Sequence, residues 1–267
     1  MEPPIRLRLG SCAVQRFEGR HVVVTGAGRG VGKAIALRLA SEGARLSLLA
    51  RGIDALHATA EEIGGAFVAQ VDVRDGSQVE HAFADAAEAN GPLHALVANS
   101  GIGGPNEPGP EDRFYDLVAT NLIGTYQCVR AAQPRFADAA ERCDIVVISS
   151  ILARIAVPGY TGYSASKAGL LGLVRSLAAE LASDNVQVNA ICPGWVDTDM
   201  AWQGLDLLAE AIGGTREQAY EQAMSEVPLR RMSRPEDIAG TVAWLLSADS
   251  RGVTGQAIDQ NGGAYVI

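Results

Sequence analysis

From His21 onward, short β-branched or Leu-rich runs alternate with longer stretches of helical period, and this alternation leaves few architectures open. The runs are His21–Thr25, Arg45–Ala50, Ala66–Val71, Ala95–Ala98, Asp144–Ser149, Val186–Cys192 and Gln256–Asp259, which predicts seven strands. Between them lie Ala-rich amphipathic stretches such as Lys33–Ser41, Ser77–Ala89, Ala165–Ala182 and Glu236–Leu246. Such a pattern predicts an α/β fold: a doubly wound, mostly parallel seven-stranded sheet with helices on both faces. Strands buried on both faces are apolar almost throughout, as these are. Right-handed crossovers then bring every carboxyl end to one edge, where ligands of doubly wound sheets bind.

A chain of 267 residues, 48% of them hydrophobic, can bury a substantial core. With no repeat and no Gly/Ser linker, it reads as one domain over 18–267 preceded by an arm over 1–17. The stretch 195–234 breaks the alternation and contains Gly204, Gly213, Gly214 and Pro228, so an irregular substrate lid is expected there. A formal charge of -9, spread along the chain, argues against nucleic acid or an anionic membrane as partner. No apolar run approaches the roughly 20 residues of a bilayer span, and the N-terminal stretch lacks the apolar core of a secretory signal. Cys12, Cys128, Cys143 and Cys192 lack CxxC spacing and read as reduced thiols of a cytoplasmic protein. His21, His57, His81 and His94 are dispersed, so no metal is expected.

The first strand runs into Thr25-Gly26-Ala27-Gly28-Arg29-Gly30-Val31-Gly32, followed by a helical stretch. A glycine turn lets backbone N–H groups approach a pyrophosphate, and the next helix presents its positive end to it. The dinucleotide fingerprint GxGxxG is not met literally; TGxxxGxG is, through Thr25, Gly26, Gly30 and Gly32. In this Rossmann-type arrangement an acidic residue ending the second strand would accept from the ribose hydroxyls of NAD, and an arginine would suit the 2′-phosphate of NADP. Here the strand ends in Ala50-Arg51, with Arg29 in the glycine turn. Two guanidinium groups converging on one ribose favour NADP(H), with NAD(H) the alternative.

The fifth run ends in Ile148-Ser149-Ser150, and Tyr163 and Lys167 follow at helical i, i+4 spacing, about one turn apart on one face. An ammonium held beside a phenol would lower its pKa from about 10 and let it exchange a proton near neutral pH.

Taken together, these motifs resemble the short-chain dehydrogenase/reductase family over about Phe17 to Gly263. The likeness includes TGxxxGxG, Asp72-Val73, Asn99 and Gly101, Asn121, Ser150 before YxxxK, and Pro193-Gly194 with Thr198. It implies that Ser150 polarises a substrate carbonyl, that Tyr163 is the general acid in reduction, and that Lys167 binds the nicotinamide ribose. Asn121 would support a water chain refilling the proton. The resemblance also implies a cofactor site made of Gly26, Gly28, Arg29, Gly30, Val31, Gly32, Arg51, Asp72, Val73, Asn99, Gly101, Tyr163, Lys167, Pro193, Gly194, Val196 and Thr198. Of the two serines, the spacing to Tyr163 selects Ser150 over Ser149. Where the family usually has NNAG this chain has Ala98-Asn99-Ser100-Gly101, and His94 replaces the usual Asp opening that strand; His94 reads as a partly exposed strand-end residue.

The expected reaction is NADP(H)-dependent reduction of a ketone (3-oxoacyl, cyclic or aromatic) to a secondary alcohol. Alternatives are an NAD-dependent secondary-alcohol dehydrogenase and a catalytically silent dinucleotide-binding sensor, the latter disfavoured by the complete Asn121, Ser150, Tyr163, Lys167 set. Leu152, Tyr160, Trp195, Met200 and Trp202 are candidate substrate walls of an apolar enclosure. Arg154 reads as a salt-bridge residue. Family resemblance also implies a homotetramer or homodimer, built through the Asn121 and Tyr163 helices and the C-terminal strand.

Overall fold

The computed structural model describes residues 15–266. Among the described residues there are seven strands: β1 (His21–Thr25), β2 (Arg45–Ala50), β3 (Phe67–Gln70), β4 (Ala95–Ala98), β5 (Cys143–Ile148), β6 (Val186–Pro193) and β7 (Ala257–Gln260). Helices α1 (Gly30–Ser41), α2 (Ile53–Glu62), α3 (Gly76–Asn90), α4 (Phe114–Val118), α5 (Gly124–Ala132), α6 (Thr161–Glu180), α7 (Asp199–Ile212), α8 (Arg216–Ser225) and α9 (Pro235–Leu245) lie between them. Every strand pairing is parallel, in the order β3-β2-β1-β4-β5-β6-β7. This is the doubly wound sheet that the alternation implies, and each strand end lies within one residue of its expected position.

Successive strand residues alternate between two cores. Val22, Val24, Leu48 and Val97 pack under α1, α2 and α9. On the other face Val23, Leu49, Leu96, Ile145 and Val188 pack under α3, α5 and α6. With both faces covered, β1, β4 and β5 are buried at every position. The winding direction reverses between β1 and β4, which opens a crevice at their carboxyl ends. No helix among the described residues is long and apolar enough to cross a membrane.

Three expectations change. Most of the 1–17 arm, with Cys12, lies outside the described residues, but Phe17 is fully buried in the α1/α2/α9 core and its N–H donates to the Glu42 carbonyl at 2.9 Å. The packed domain therefore begins before residue 18. The 195–234 excursion is helical rather than irregular: α7 and α8 bury Leu205, Ala209, Ala219, Ala223, Met224, Val227 and Met232 in a core of their own. Gly213, in the left-handed region at φ 63°, ends α7, and a reciprocal Thr215–Gln218 capping box starts α8. Finally, His94 is buried rather than partly exposed, and its Nδ1 accepts from the His21 N–H at 3.1 Å. It lies just before β4, at the amino edge of the sheet, away from the crevice.

That amino edge is locked by Asp144, whose carboxylate accepts from Arg20 at 2.9 Å and from Arg142 at 2.6 Å. Burial pushes the Asp144 carboxyl up, and the two guanidinium groups oppose the shift.

Candidate active site

The glycine turn after β1 is shaped by the loop after β4. Thr25 Oγ1 accepts from the Asn99 and Ser100 N–H groups, both at 3.0 Å, while Asn99 Nδ2 donates to the Thr25 carbonyl at 3.0 Å and the Gly26 carbonyl at 3.3 Å. Asn99 is thus a strut for the turn. A Cβ on Gly26, at φ 68°, would sit 2.8 Å from Asn99 Nδ2, and one on Gly32 would sit 2.2 Å from the Gly26 carbonyl oxygen. Gly28 packs against Ala55, and Gly30, at φ 54°, faces Thr198 from the loop after β6. The turn feeds α1, whose N-cap is Arg29 and whose second residue is Val31. A backbone cradle at a helix N-terminus fits a pyrophosphate.

On the β2 and β3 side of the crevice, Arg51, Gln70, Asp72 and Gln78 line an open depression of about 420 Å³. The exposed Arg29 guanidinium lies 3.9 Å from the Asp199 carboxylate at the start of α7. Asp72 is gripped by Arg74, which holds the carboxyl well below its usual range. Val73 packs on Gly124, where a Cβ would come within 2.6 Å of Val73 Cγ2. Gln70, Gln78, Arg74 and Gly124 were not singled out from the sequence; Arg74, two residues from Asp72, carried the only local signal.

The four proton-transfer candidates gather between the ends of β4 and β5 and the first turns of α6. Ser150 follows β5 and is buried; its Oγ accepts from the Leu152 N–H at 3.1 Å. Ser149 points the other way and donates to the Lys167 carbonyl at 2.9 Å, which leaves Ser150 as the site hydroxyl. Tyr163 is half-buried on the first turn of α6, and Lys167 one turn later places Nζ 5.7 Å from its ring centroid. Asn121 lies in a π-turn (Ala119–Ile123) joining α4 to α5 and is fully buried. Its carboxamide accepts from the Ile102 N–H at 2.9 Å and donates to the Ile102 carbonyl and Ser166 Oγ, each at 3.0 Å. Gly101 leaves room beside it: a Cβ there would meet Asn121 Oδ1 at 3.1 Å and Lys167 Nζ at 3.5 Å.

The electrostatics correct one expectation. Burial pushes the Tyr163 phenol above its ordinary value, opposed by the neighbouring Ser150 hydroxyl, so Lys167 does not hold it down here. Lys167 itself is pushed down to about 8 by burial, and Nζ donates to the Ile148 carbonyl at 2.8 Å. Desolvation is the largest influence on both groups.

Beyond the tetrad, Pro193 ends β6 beside Gln260, Gly194 abuts Asn261, and Val196 is buried and bridged to Ser233. Thr198 caps α7. Among the substrate candidates, Leu152 and Tyr160 lie on the segment between Ser150 and Tyr163. Met200 reaches over Gly103, where a Cβ would be 2.9 Å from its Sδ. The contacts of the two tryptophans are within the helical 195–234 segment: Trp195 packs on Gly204, while Trp202 stacks on Tyr220 at 5.9 Å and donates to Asp197 at 2.7 Å. Arg154 pairs with Asp259 at 3.2 Å, within the chain.

A family model described as enoyl-(acyl carrier protein) reductase matches residues 26–265. The chain belongs to the short-chain dehydrogenase/reductase family. It is 35% identical over 254 residues to the 3-oxoacyl-[acyl-carrier-protein] reductase FabG of Staphylococcus aureus, covering 92% of this chain and 98% of that one. To MabA, a 3-oxoacyl-[acyl-carrier-protein] reductase of Mycobacterium bovis, it is 32% identical over 249 residues, covering 92% and 93%. A crystal structure of an actinorhodin polyketide ketoreductase variant with NADPH superposes with a TM-score of 0.86 at 32% identity, covering 94% and 98%. This short-chain dehydrogenase/reductase is accordingly an oxidoreductase of the CH–OH/C=O pair, of the ketone-reducing type, with a nicotinamide cofactor.

Proposed function

We propose that the protein is an NADP(H)-dependent ketoreductase that uses Tyr163 as general acid, and the observation that carries this reading is the convergence of Ser150, Tyr163, Lys167 and Asn121 at the carboxyl edge of the sheet. The glycine cradle fits a dinucleotide: Gly26, Gly28, Gly30, Val31 and Gly32 would hold the pyrophosphate, and Arg51 a ribose phosphate. Asp72 and Val73 would border the adenine, Asn99 and Gly101 the middle of the cleft, and Pro193, Gly194, Val196 and Thr198 the nicotinamide end. When bound, the cofactor supplies the hydride.

The chain's own residues manage the oxygen. Because Ser150 Oγ already accepts from Leu152 N–H, its own proton remains to donate to a substrate carbonyl oxygen. Burial keeps Tyr163 protonated, the state a proton donor needs. Lys167, fixed by Ile148, would reach the nicotinamide ribose, and Asn121, by pinning Ile102, holds the loop after β4 beside it and supports refilling of the proton.

The FabG and polyketide ketoreductase relatives favour a 3-oxoacyl or polyketide-like cyclic ketone as substrate class, with Leu152, Tyr160 and Met200 as its nearest walls and Trp195 and Trp202 behind them. Exposed Ile123 and Tyr126 near the π-turn, and the sheet-edge position of β7, favour a homodimer or homotetramer. Buried free thiols at Cys128, Cys143 and Cys192 are in keeping with a cytoplasmic protein.

Titration with NADPH and NADH, followed by a ketone screen for loss of reduced cofactor, tests the reading. Tyr163→Phe is expected to abolish turnover while leaving NADPH affinity unchanged. Near-normal turnover in that variant, or binding of NADH as tight as NADPH in the parent, would overturn it.

A further inference from the structure

The depression at the ends of β2 and β3 holds a contradiction. It is lined by one cation, Arg51, and one anion, Asp72, together with Gln70 and Gln78. An unrestrained carboxylate beside Arg51 would pair with it and repel a phosphate, leaving a site better suited to a bare ribose hydroxyl. Yet among the described residues Arg51 makes no ion pair.

Arg74 is the reason. Its Nε lies 3.0 Å from Asp72 Oδ1 and 3.1 Å from Oδ2, its Nη2 lies 2.6 Å from Oδ2, and its backbone N–H donates to Oδ1 at 3.0 Å. Both carboxylate oxygens are therefore engaged, and the rotamer of Asp72 is fixed. The far side of the guanidinium is anchored to Asp116 on α4 at 2.7 Å. A planar, bidentate grip of this kind is specific to arginine. Arg51 also acts on Asp72 through space, but more weakly than Arg74, so the two cations compete for one anion and Arg74 prevails.

We propose that Arg74 is a specificity-determining residue for the phosphorylated cofactor: by clamping Asp72 it leaves Arg51 unpaired at the depression and available to a ribose phosphate. This rests on the NADP(H) reading above. Arg74 does not line the depression and acts through Asp72, so it is a positioning residue.

The test is fluorescence titration of the full-length protein with NADPH and with NADH, for the parent, Arg74→Met, Asp72→Asn and the double variant. Arg74→Met should weaken NADPH binding about five-fold, the upper range for an exposed ion pair, and leave NADH binding within about two-fold. In the Asp72→Asn background the same change should be silent, because no carboxylate remains to restrain. Arg74→Lys should recover part of the loss, having the charge but not the fork. An equal loss for both cofactors would mark Arg74 as merely structural and overturn the proposal. So would a loss of NADPH affinity that persists beside Asp72→Asn, since Arg74 would then touch the phosphate itself. A parent that prefers NADPH but is indifferent to Arg74→Met overturns the proposal alone; a parent with no NADPH preference overturns it together with the cofactor reading.

Discussion

Lys167 is held at a cost to the fold that can be measured. The residue is 5% exposed, and burial lowers its pKa from the ordinary 10.5 to about 8. At roughly 1.36 kcal/mol per pH unit, that difference is worth about 3 kcal/mol against the folded state wherever the amine is charged in both states. The sign follows from proton counts. Between pH 8 and 10.5 the unfolded chain holds the Lys167 proton more tightly than the native one does, so native stability rises with pH across that window. Below about 8 the penalty is present in full. Lys167→Met removes the titrating group but forfeits the donor to the Ile148 carbonyl, a loss of about 1–3 kcal/mol that does not depend on pH. The variant should therefore equal or exceed the parent in stability near pH 7 and fall behind it by about 3 kcal/mol, relative to that starting point, as the pH approaches 10.5. Urea unfolding of both proteins without cofactor, at equal subunit concentration and at several pH values, measures the difference directly. Titrations of groups remote from Lys167 cancel between the pair. A stability difference that is flat with pH would show that Lys167 carries no such penalty and refute the reasoning.

The crowding of the glycine turn makes Gly32→Ala severe: its Cβ would fall 2.2 Å from the Gly26 oxygen, so NADPH titration should show binding lost or weakened at least about ten-fold, whereas normal affinity would disprove the cradle. Because burial raises the Tyr163 pKa and Lys167 titrates only at about 8, ketone reduction should be nearly flat from about pH 6 to about 7, while oxidation of the matching alcohol climbs over the same range. A reduction rate that falls through neutrality in initial-rate profiles would contradict this. Asp144→Asn leaves Arg20 and Arg142 without their buried anion and should cost about 3–5 kcal/mol, seen as a lowered thermal midpoint, with turnover of the folded enzyme at 25 °C kept because the change is at the opposite sheet edge. Unchanged melting would refute the lock at that edge.

What could be read from the sequence follows the range over which each constraint acts. The seven strands and their parallel arrangement are legible because each needs only an apolar run and a helical return. Gly26 and Gly30 are legible because a positive φ is a local demand, and Tyr163 with Lys167 because one helical turn fixes their separation. The 195–234 segment is different. Gly204 and the Gly213-Gly214 pair look like breaks in sequence, but Gly204 lies within α7 in contact with the Trp195 ring and Gly213 ends that helix in the left-handed region. The meaning of each lies in a contact with another segment or in the position of a cap.

The same distinction governs the charges. Arg29 and Arg51 are equivalent in sequence as phosphate ligands, yet Asp199, far along the chain, lies beside the first and not the second. The motif shows Asp72 but not its clamp: Arg74 holds it and is itself anchored to Asp116, 42 residues beyond Arg74. The Tyr163 shift is a further case: the adjacent ammonium is visible in the motif, whereas the burial that raises the phenol depends on the folded surroundings. Motifs thus report which groups can meet the reacting atoms. How strongly each group is charged, and toward what it is turned, depends on side chains brought in from elsewhere, and cofactor preference and pH response are therefore to be sought at Arg74, Asp116 and Asp199 as much as in the motifs themselves.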